Sequence, residues 1–190
     1  MQLGDLAITV FSGRPLTRLR AEDGAAHAPV ISLRDVTTRL PPRAELESVP
    51  VHMSPETERL AIKPGDVVVT ARGSSVRAAV ATDEHLDALP GANLIVLRPR
   101  STSPHLLAAY LRHPEVQAHL LQEFAGSSTL GFTVETLRQL EVRDLPIEEA
   151  NLLAQMSEAV EQYALHTEQA AELRRRATTE AVFDRLWPRA

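Results

Sequence analysis

From Glu148 to Trp187 the chain has neither glycine nor proline, and alanine, leucine, glutamate and arginine predominate. With no breaker and good helix formers throughout, this run predicts one continuous helix. At 1.5 Å per residue it reaches about 60 Å, more than the width of a domain the preceding residues could build. A stripe at coiled-coil-like spacing follows it: Leu153, Met156, Val160, Tyr163, Thr167, Ala170, Arg174, Ala177 and Ala181. The first half of this seam is apolar. Thr167 and Arg174 interrupt its middle, and the small Ala170 and Ala177 let a second helix approach closely. Phe183, Leu186 and Trp187 add an apolar end suited to a second helix or a second protomer's domain. A helix that outreaches its own domain needs a partner, so residues 147–190 read as a dimerisation or spacer helix and residues 1–146 as the domain it carries.

Within that domain, residues 60–99 change period. A Pro64-Gly65-Asp66 turn precedes the apolar run Val67-Val68-Val69. Then come Thr70 to Ser75, a second apolar run to Ala81, and a third from Leu94 to Leu97 that stops at Pro99. Short β-rich runs between Gly and Pro predict consecutive strands of an antiparallel sheet or small barrel. Before them, residues 2–13 read as a helical turn or strand ending at Gly13, and 14–28 as a polar loop. Pro29 to Val36 reads as a strand, and Thr37 to Ser54, rich in proline and charge, as a long surface connection. After Pro99, two helices carry Leu106, Leu107, Tyr110 and Leu111, then Val116, Leu120, Leu121 and Phe124, broken at His113-Pro114 and ending at Gly126. A hydroxyl-rich loop follows. Thr133 then caps a third helix through Leu140, and Glu141 to Leu145 returns as a strand. The class expected is α+β, a small β-rich domain with short helices followed by one long coiled-coil-like helix.

The 190 residues include no cysteine, which removes disulfides, thiolate nucleophiles and zinc-thiolate sites. No apolar run is long enough to span a bilayer, and the N-terminus lacks a basic, apolar, small-residue leader pattern. A cytoplasmic protein with no membrane contact is expected. The net charge of −5 is unevenly placed: residues 1–100 hold 12 basic and 12 acidic side chains, whereas 101–190 hold 8 and 13. The acidity therefore lies in the C-terminal half, and one face of the N-terminal half can still meet DNA. The single lysine, Lys63, precedes Pro64 and rules out a Gly-Lys-Ser/Thr phosphate loop. No GxGxxG follows a strand, no Asn-Pro-Pro-aromatic or Asp-Pro-Pro-aromatic tetrapeptide of an amino-methyltransferase occurs, and the scattered histidines form no HExxH. Nothing marks a base for a serine nucleophile at Ser74, Ser75, Ser127 or Ser128. No catalytic residue, metal site or cofactor is expected.

In their order, these pieces resemble a DNA-specificity (S) subunit of a type I restriction-modification system, in a half-size form. The resemblance rests on Leu3-Gly4-Asp5-Leu6-Ala7 with Ser12-Gly13, on Ile62-Lys63-Pro64-Gly65-Asp66-Val67-Val68-Val69-Thr70-Ala71-Arg72-Gly73-Ser74, and on Asn93 to Pro99. It continues through Tyr110-Leu111, Gly126-Ser127-Ser128 and Leu137 to Pro146 into the long helix. It implies a target recognition domain that reads half of a bipartite site in double-stranded DNA, and a helix on which a DNA methyltransferase (modification) subunit assembles, in some complexes with a restriction subunit. With a single recognition domain, the resemblance implies a homodimer through the C-terminal helix, reading a two-fold symmetric site. The residues expected at DNA are Arg14, Arg18, Arg34, Arg39, Arg72, Ser74, Ser75, Arg77, Ser127, Ser128 and Thr129. Two other classes compete: an interaction adaptor whose barrel no longer reads DNA, and a small hydrolase built on the strand core.

Overall fold

The computed structural model describes residues 1–15, 17, 26–73, 75–100, 102–122 and 131–187. Seven strands form two sheets. The larger has the order β1-β7-β4-β5, from Ala7–Ser12, Leu94–Pro99, Val67–Thr70 and Ala78–Val80, with every neighbouring pair antiparallel. The smaller places β2 (Ala26–Ile31) between β3 (Glu47–Val51), antiparallel, and β6 (Leu89–Pro90), parallel.

The apolar runs of β4 and β7 are continuous because both faces of the larger sheet are covered. Successive side chains point to opposite faces. Val67, Val69, Ile95 and Leu97 pack toward helices α2 (Pro104–Arg112), α3 (Pro114–Gln122) and α4 (Val134–Gln139), with Leu107, Leu111, Leu120 and Leu137 buried against them. Val68, Leu94 and Val96 pack the other way, onto Ile31, Val36, Leu40, Leu46 and Ile62. A third cluster, Val30, Val49, Val51 and Leu89, closes the smaller sheet. Helices on one face of a mostly antiparallel sheet make this an α+β fold.

Local chemistry sets the boundaries. Pro104 opens α2, and α3 follows His113 directly, with Pro114 as its first residue. Thr133 caps α4 by accepting the Thr136 N–H at 3.1 Å. The short helix α1 (Pro55–Leu60) is capped likewise by Ser54, which accepts the Thr57 N–H. Gly65 sits at φ +84°, a conformation open to glycine, and turns the chain into β4.

Three expectations change. Residues 37–54 are not a connection over the surface: they contain a 3-10 turn, Arg43–Glu45, and the whole of β3, and they bury Leu40, Leu46 and Val49. Proline and glutamate masked an edge strand, where Pro50 lacks an N–H to donate. The strand expected from Pro29 to Val36 ends at Ile31 and becomes a turn held by Asp35, which accepts the Ser32 N–H at 2.7 Å. Glu141 to Leu145 forms no strand; it contributes one bridge, Gln2 to Glu141.

The long helix, α5, spans Ile147–Leu186, 40 residues with none fully buried. Its first half lies against α2. Ala150, Leu153, Ala154, Ser157, Glu161 and Leu165 are partly buried on that side. Met156, Val160 and Tyr163 face away, at 56%, 67% and 75% exposure. Glu161 makes the clasp: its carboxylate meets His105 Nδ1 and Arg112 Nη1, each at 2.7 Å. Arg112 also donates to the carbonyls of Ala78 and Thr38, at 2.7 Å each. Further along, Arg39 reaches Glu168 at 2.6 Å.

Inside the domain, Arg98 holds Asp66, which is fully buried, through two bonds of 2.7 Å, and also donates to the Ala61 carbonyl at 3.2 Å. The same carboxylate accepts the Lys63 N–H at 2.8 Å, closing the Pro-Gly-Asp turn. The hydrogen bond to Asp66 raises the guanidinium's pKa above its ordinary value. Removing one partner leaves the other buried and unpaired. Arg98→Met should therefore cost about 3 kcal/mol in a denaturant titration, and adding Asp66→Asn to it should restore part of that loss.

Candidate nucleic-acid interface

Strand register brings distant arginines to one rim. Thr70, the end of β4, pairs with Leu94, the start of β7. Ser12, the end of β1, pairs with Ile95, and Ala78, the start of β5, pairs with Val69. In the smaller sheet, Ile31 at the end of β2 pairs with Pro90. Backbone bonds fix this end: Gly13 N–H to Leu94 O (2.9 Å) extends the larger sheet, Gly91 N–H to Ile31 O (2.8 Å) extends the smaller, and Arg14 N–H to Pro90 O (3.0 Å) joins the two. Residues 12–14, 32–35, 71–73, 75–77 and 91–93 therefore line one end of the domain. Gly131 joins them by pairing with Arg72.

Close backbone approach at the rim explains two glycines. A Cβ at Gly13 would lie 2.0 Å from the Gly91 carbonyl oxygen, and one at Gly131 would lie 2.6 Å from that of Ala71. Gly73, at φ +121°, turns the β4–β5 connection outward. The β4–β5 connection, rich in charge and hydroxyl groups, thus stands at an edge where the backbone is fixed from three sides.

The arginines of the rim have different surroundings. Arg72 is exposed and makes no ion pair among the described residues. Ser75 beside it is exposed too. Arg34 is 77% exposed and faces Asp35 and Glu47 only at 3.7 and 4.0 Å. Arg77 is partly buried and ties the rim together, donating from Nη2 to the Leu33 carbonyl at 3.1 Å while its N–H donates to Thr70 Oγ1 at 2.9 Å. That bond sets the β4–β5 connection against the turn carrying Arg34. Arg14 is paired with Glu56 of α1, and its hydrogen bond and charge hold that carboxyl below the usual carboxylate range. Arg39 stands apart from the rim, on the side where α5 passes. Arg18, Ser74, Ser127, Ser128 and Thr129 lie outside the described residues.

Hydrogen-bond donors and positive charge on a rigid edge can bind phosphate oxygens and base edges. Among the described residues, no group of three His, Asp or Glu side chains is placed to hold a metal ion, and no helix is long and apolar enough to cross a membrane. The Glu161–His105–Arg112 clasp and the Asp66–Arg98 pair escape sequence reading, because partners 32 to 56 positions apart share no local pattern.

The fold has solved counterparts. A chain from a type I R-M system, solved in work on its complex assembly and conformational transition, aligns with 98% of this chain and 42% of its own, at TM-score 0.60 and 23% identity. The HsdS subunit from Thermoanaerobacter tengcongensis aligns with 95% of this chain and 45% of its own, at TM-score 0.62 and 15% identity. At these identities the likeness establishes a shared fold, and this chain spans less than half the length of either counterpart. Comparison of its sequence with protein-family profiles and with curated proteins finds no match.

The rim's rigidity and its chemistry separate by mutation. Gly13→Ala should cost about 3 kcal/mol through overpacking against Gly91. Arg77→Ala should cost about 1 kcal/mol by freeing the Leu33 carbonyl. Arg72→Ala should stay within about 0.5 kcal/mol of the parent. Urea midpoints compared at equal slope measure all three.

Proposed function

We propose that this chain is a sequence-specific DNA recognition subunit of a type I restriction-modification enzyme, directing a separate methyltransferase rather than catalysing a reaction itself. The observation that carries this reading is the rim. Four arginines from three separate stretches converge on one end of a domain whose fold is shared with half of an HsdS subunit. Under this reading residues 1–146 are the target recognition domain. Arg72, Ser75, Arg34 and Arg14 meet double-stranded DNA, Arg18, Ser74, Ser127, Ser128 and Thr129 contribute to base reading, and Arg77 holds the edge in place. Phosphate contacts fix register, while side chains in the major groove supply sequence.

Residues 147–190 form the assembly helix. Its outward stripe of Met156, Val160, Tyr163, Thr167, Ala170, Arg174, Ala177 and Ala181 meets a second copy, and the paired helices seat the modification subunit and, in a restricting complex, a restriction subunit. Leu153 secures the helix to its own domain. A cytoplasmic homodimer then reads a bipartite, two-fold symmetric site. The exposed stripe supports this, since large apolar side chains at 56% to 75% exposure on a helix have no partner in their own chain.

The arginines provide the test. Arg34→Glu with Arg72→Glu should abolish sequence-directed methylation by the assembled complex without lowering the thermal midpoint. Arg72→Ala should weaken DNA binding across all sequences and reduce the slope of log affinity against log salt by about 0.9 if one phosphate contact is lost. Methylation that survives the double charge reversal would support instead an adaptor that does not read DNA.

A further inference from the structure

Two apolar features at opposite ends of α5 have no occupant among the described residues. At its root, where the helix leaves the domain, a cavity of about 210 Å³ opens between Leu6, Leu106, Tyr110, Val142, Leu145 and Ala150. Burial among these groups raises the Tyr110 phenol's pKa, and its hydroxyl is already committed to the Glu141 carbonyl at 2.8 Å. What the cavity offers a visitor is therefore mainly hydrocarbon. At the far end Phe183 and Trp187 stack with centroids 5.5 Å apart, yet stand 52% and 63% exposed, beside Leu186 at 78%. The rise of the helix separates Ala150 from Trp187 by about 55 Å, so one chain cannot bring the two together.

A second copy can, if the helices run antiparallel. With Ile147 of one copy set level with Trp187 of the other, the helices overlap over all but their extreme ends and the two-fold axis passes near Thr167. Charge favours this direction. The first half of α5 holds Glu148, Glu149, Glu158 and Glu161 and no arginine or lysine, whereas the second half balances Arg174, Arg175, Arg176 and Arg185 against Glu168, Glu172, Glu180 and Asp184. Antiparallel overlap sets Arg174–Arg176 level with Glu158 and Arg185 level with Glu149, whereas a parallel pair sets each cluster against itself. Size agrees as well: Tyr163 falls level with the small Ala170 and Ala171 instead of with another Tyr163.

Resting on the homodimer read above, we propose that the Phe183–Trp187 end of one copy's α5 docks in the apolar cavity at the root of the other's. The docked segment bridges the partner's helix and recognition domain, so dimer formation stiffens the junction on which the distance between the two DNA-reading rims depends.

Composition makes the test clean, because Trp187 is the only tryptophan and the chain has no cysteine. In the full chain, tryptophan emission should move to shorter wavelength as concentration passes the dimerisation midpoint found by sedimentation. Trp187→Ala should raise the dimer dissociation constant by about tenfold or more, as for a buried aromatic anchor. The Asp144→Cys/Leu186→Cys double variant should form a disulfide-linked dimer on mild oxidation, with neither single variant doing so. A dimer whose emission stays at the solvent-exposed position overturns the docking and leaves the homodimer standing. Ready cross-linking of Leu186→Cys alone overturns the antiparallel arrangement. A monomer at every concentration overturns the docking and the homodimer together.

Discussion

The ion pair between Asp66 and Arg98 governs the register on which everything else rests. Asp66 immediately precedes β4 and Arg98 follows Leu97, the residue opposite Val67, so the bidentate contact locks the start of one strand against the end of the other. Arg98 also lies over the Phe11 ring, 5.9 Å from its centroid, which adds β1 to the same knot. A slip of one residue would turn Val67 and Val69 from the helical layer to the opposite face. It would also move Thr70 and Leu94, and with them the rim. One buried carboxylate at this end of the sheet therefore decides which side chains stand at the other.

The helix depends on a second polar contact. α5 shows no fully buried residue, so apolar packing alone holds it weakly. Glu161 compensates by meeting His105 and Arg112 of α2, and Arg112 in turn reaches the carbonyls of Ala78 and Thr38. Ala78 begins β5 at the rim. The angle of the long helix is thus coupled to the edge proposed to meet DNA through one arginine. Beyond Glu168 the helix carries local pairs, Glu172 with Arg175 and Arg176, whose hydrogen bonds and charges hold the Glu172 carboxyl below its usual range.

Much of this was legible in the residues. The unbroken run after Pro146, the three apolar strands about the Pro-Gly-Asp turn, and the cap at Thr133 follow from backbone chemistry alone. The strand β3 was not legible, because Pro50 and the flanking glutamates give it the composition of a loop, and only pairing with β2 makes it a strand. The convergence of Arg14, Arg34, Arg72 and Arg77 could be suspected from their density. Their division of labour could not: Arg77 turns inward to a carbonyl, Arg14 and Arg39 are engaged by carboxylates, and Arg72 stands exposed with no ion pair among the described residues. Such distinctions come from contacts made across 40 residues or more, where spacing carries no information.

The central claim is that this domain chooses where a methyltransferase acts. A genome-wide map of methylated bases, taken with and without this gene in cells that keep the candidate methyltransferase, tests it most directly. The account predicts that deletion removes methylation at one interrupted, two-fold symmetric motif. A map unchanged by deletion would contradict it.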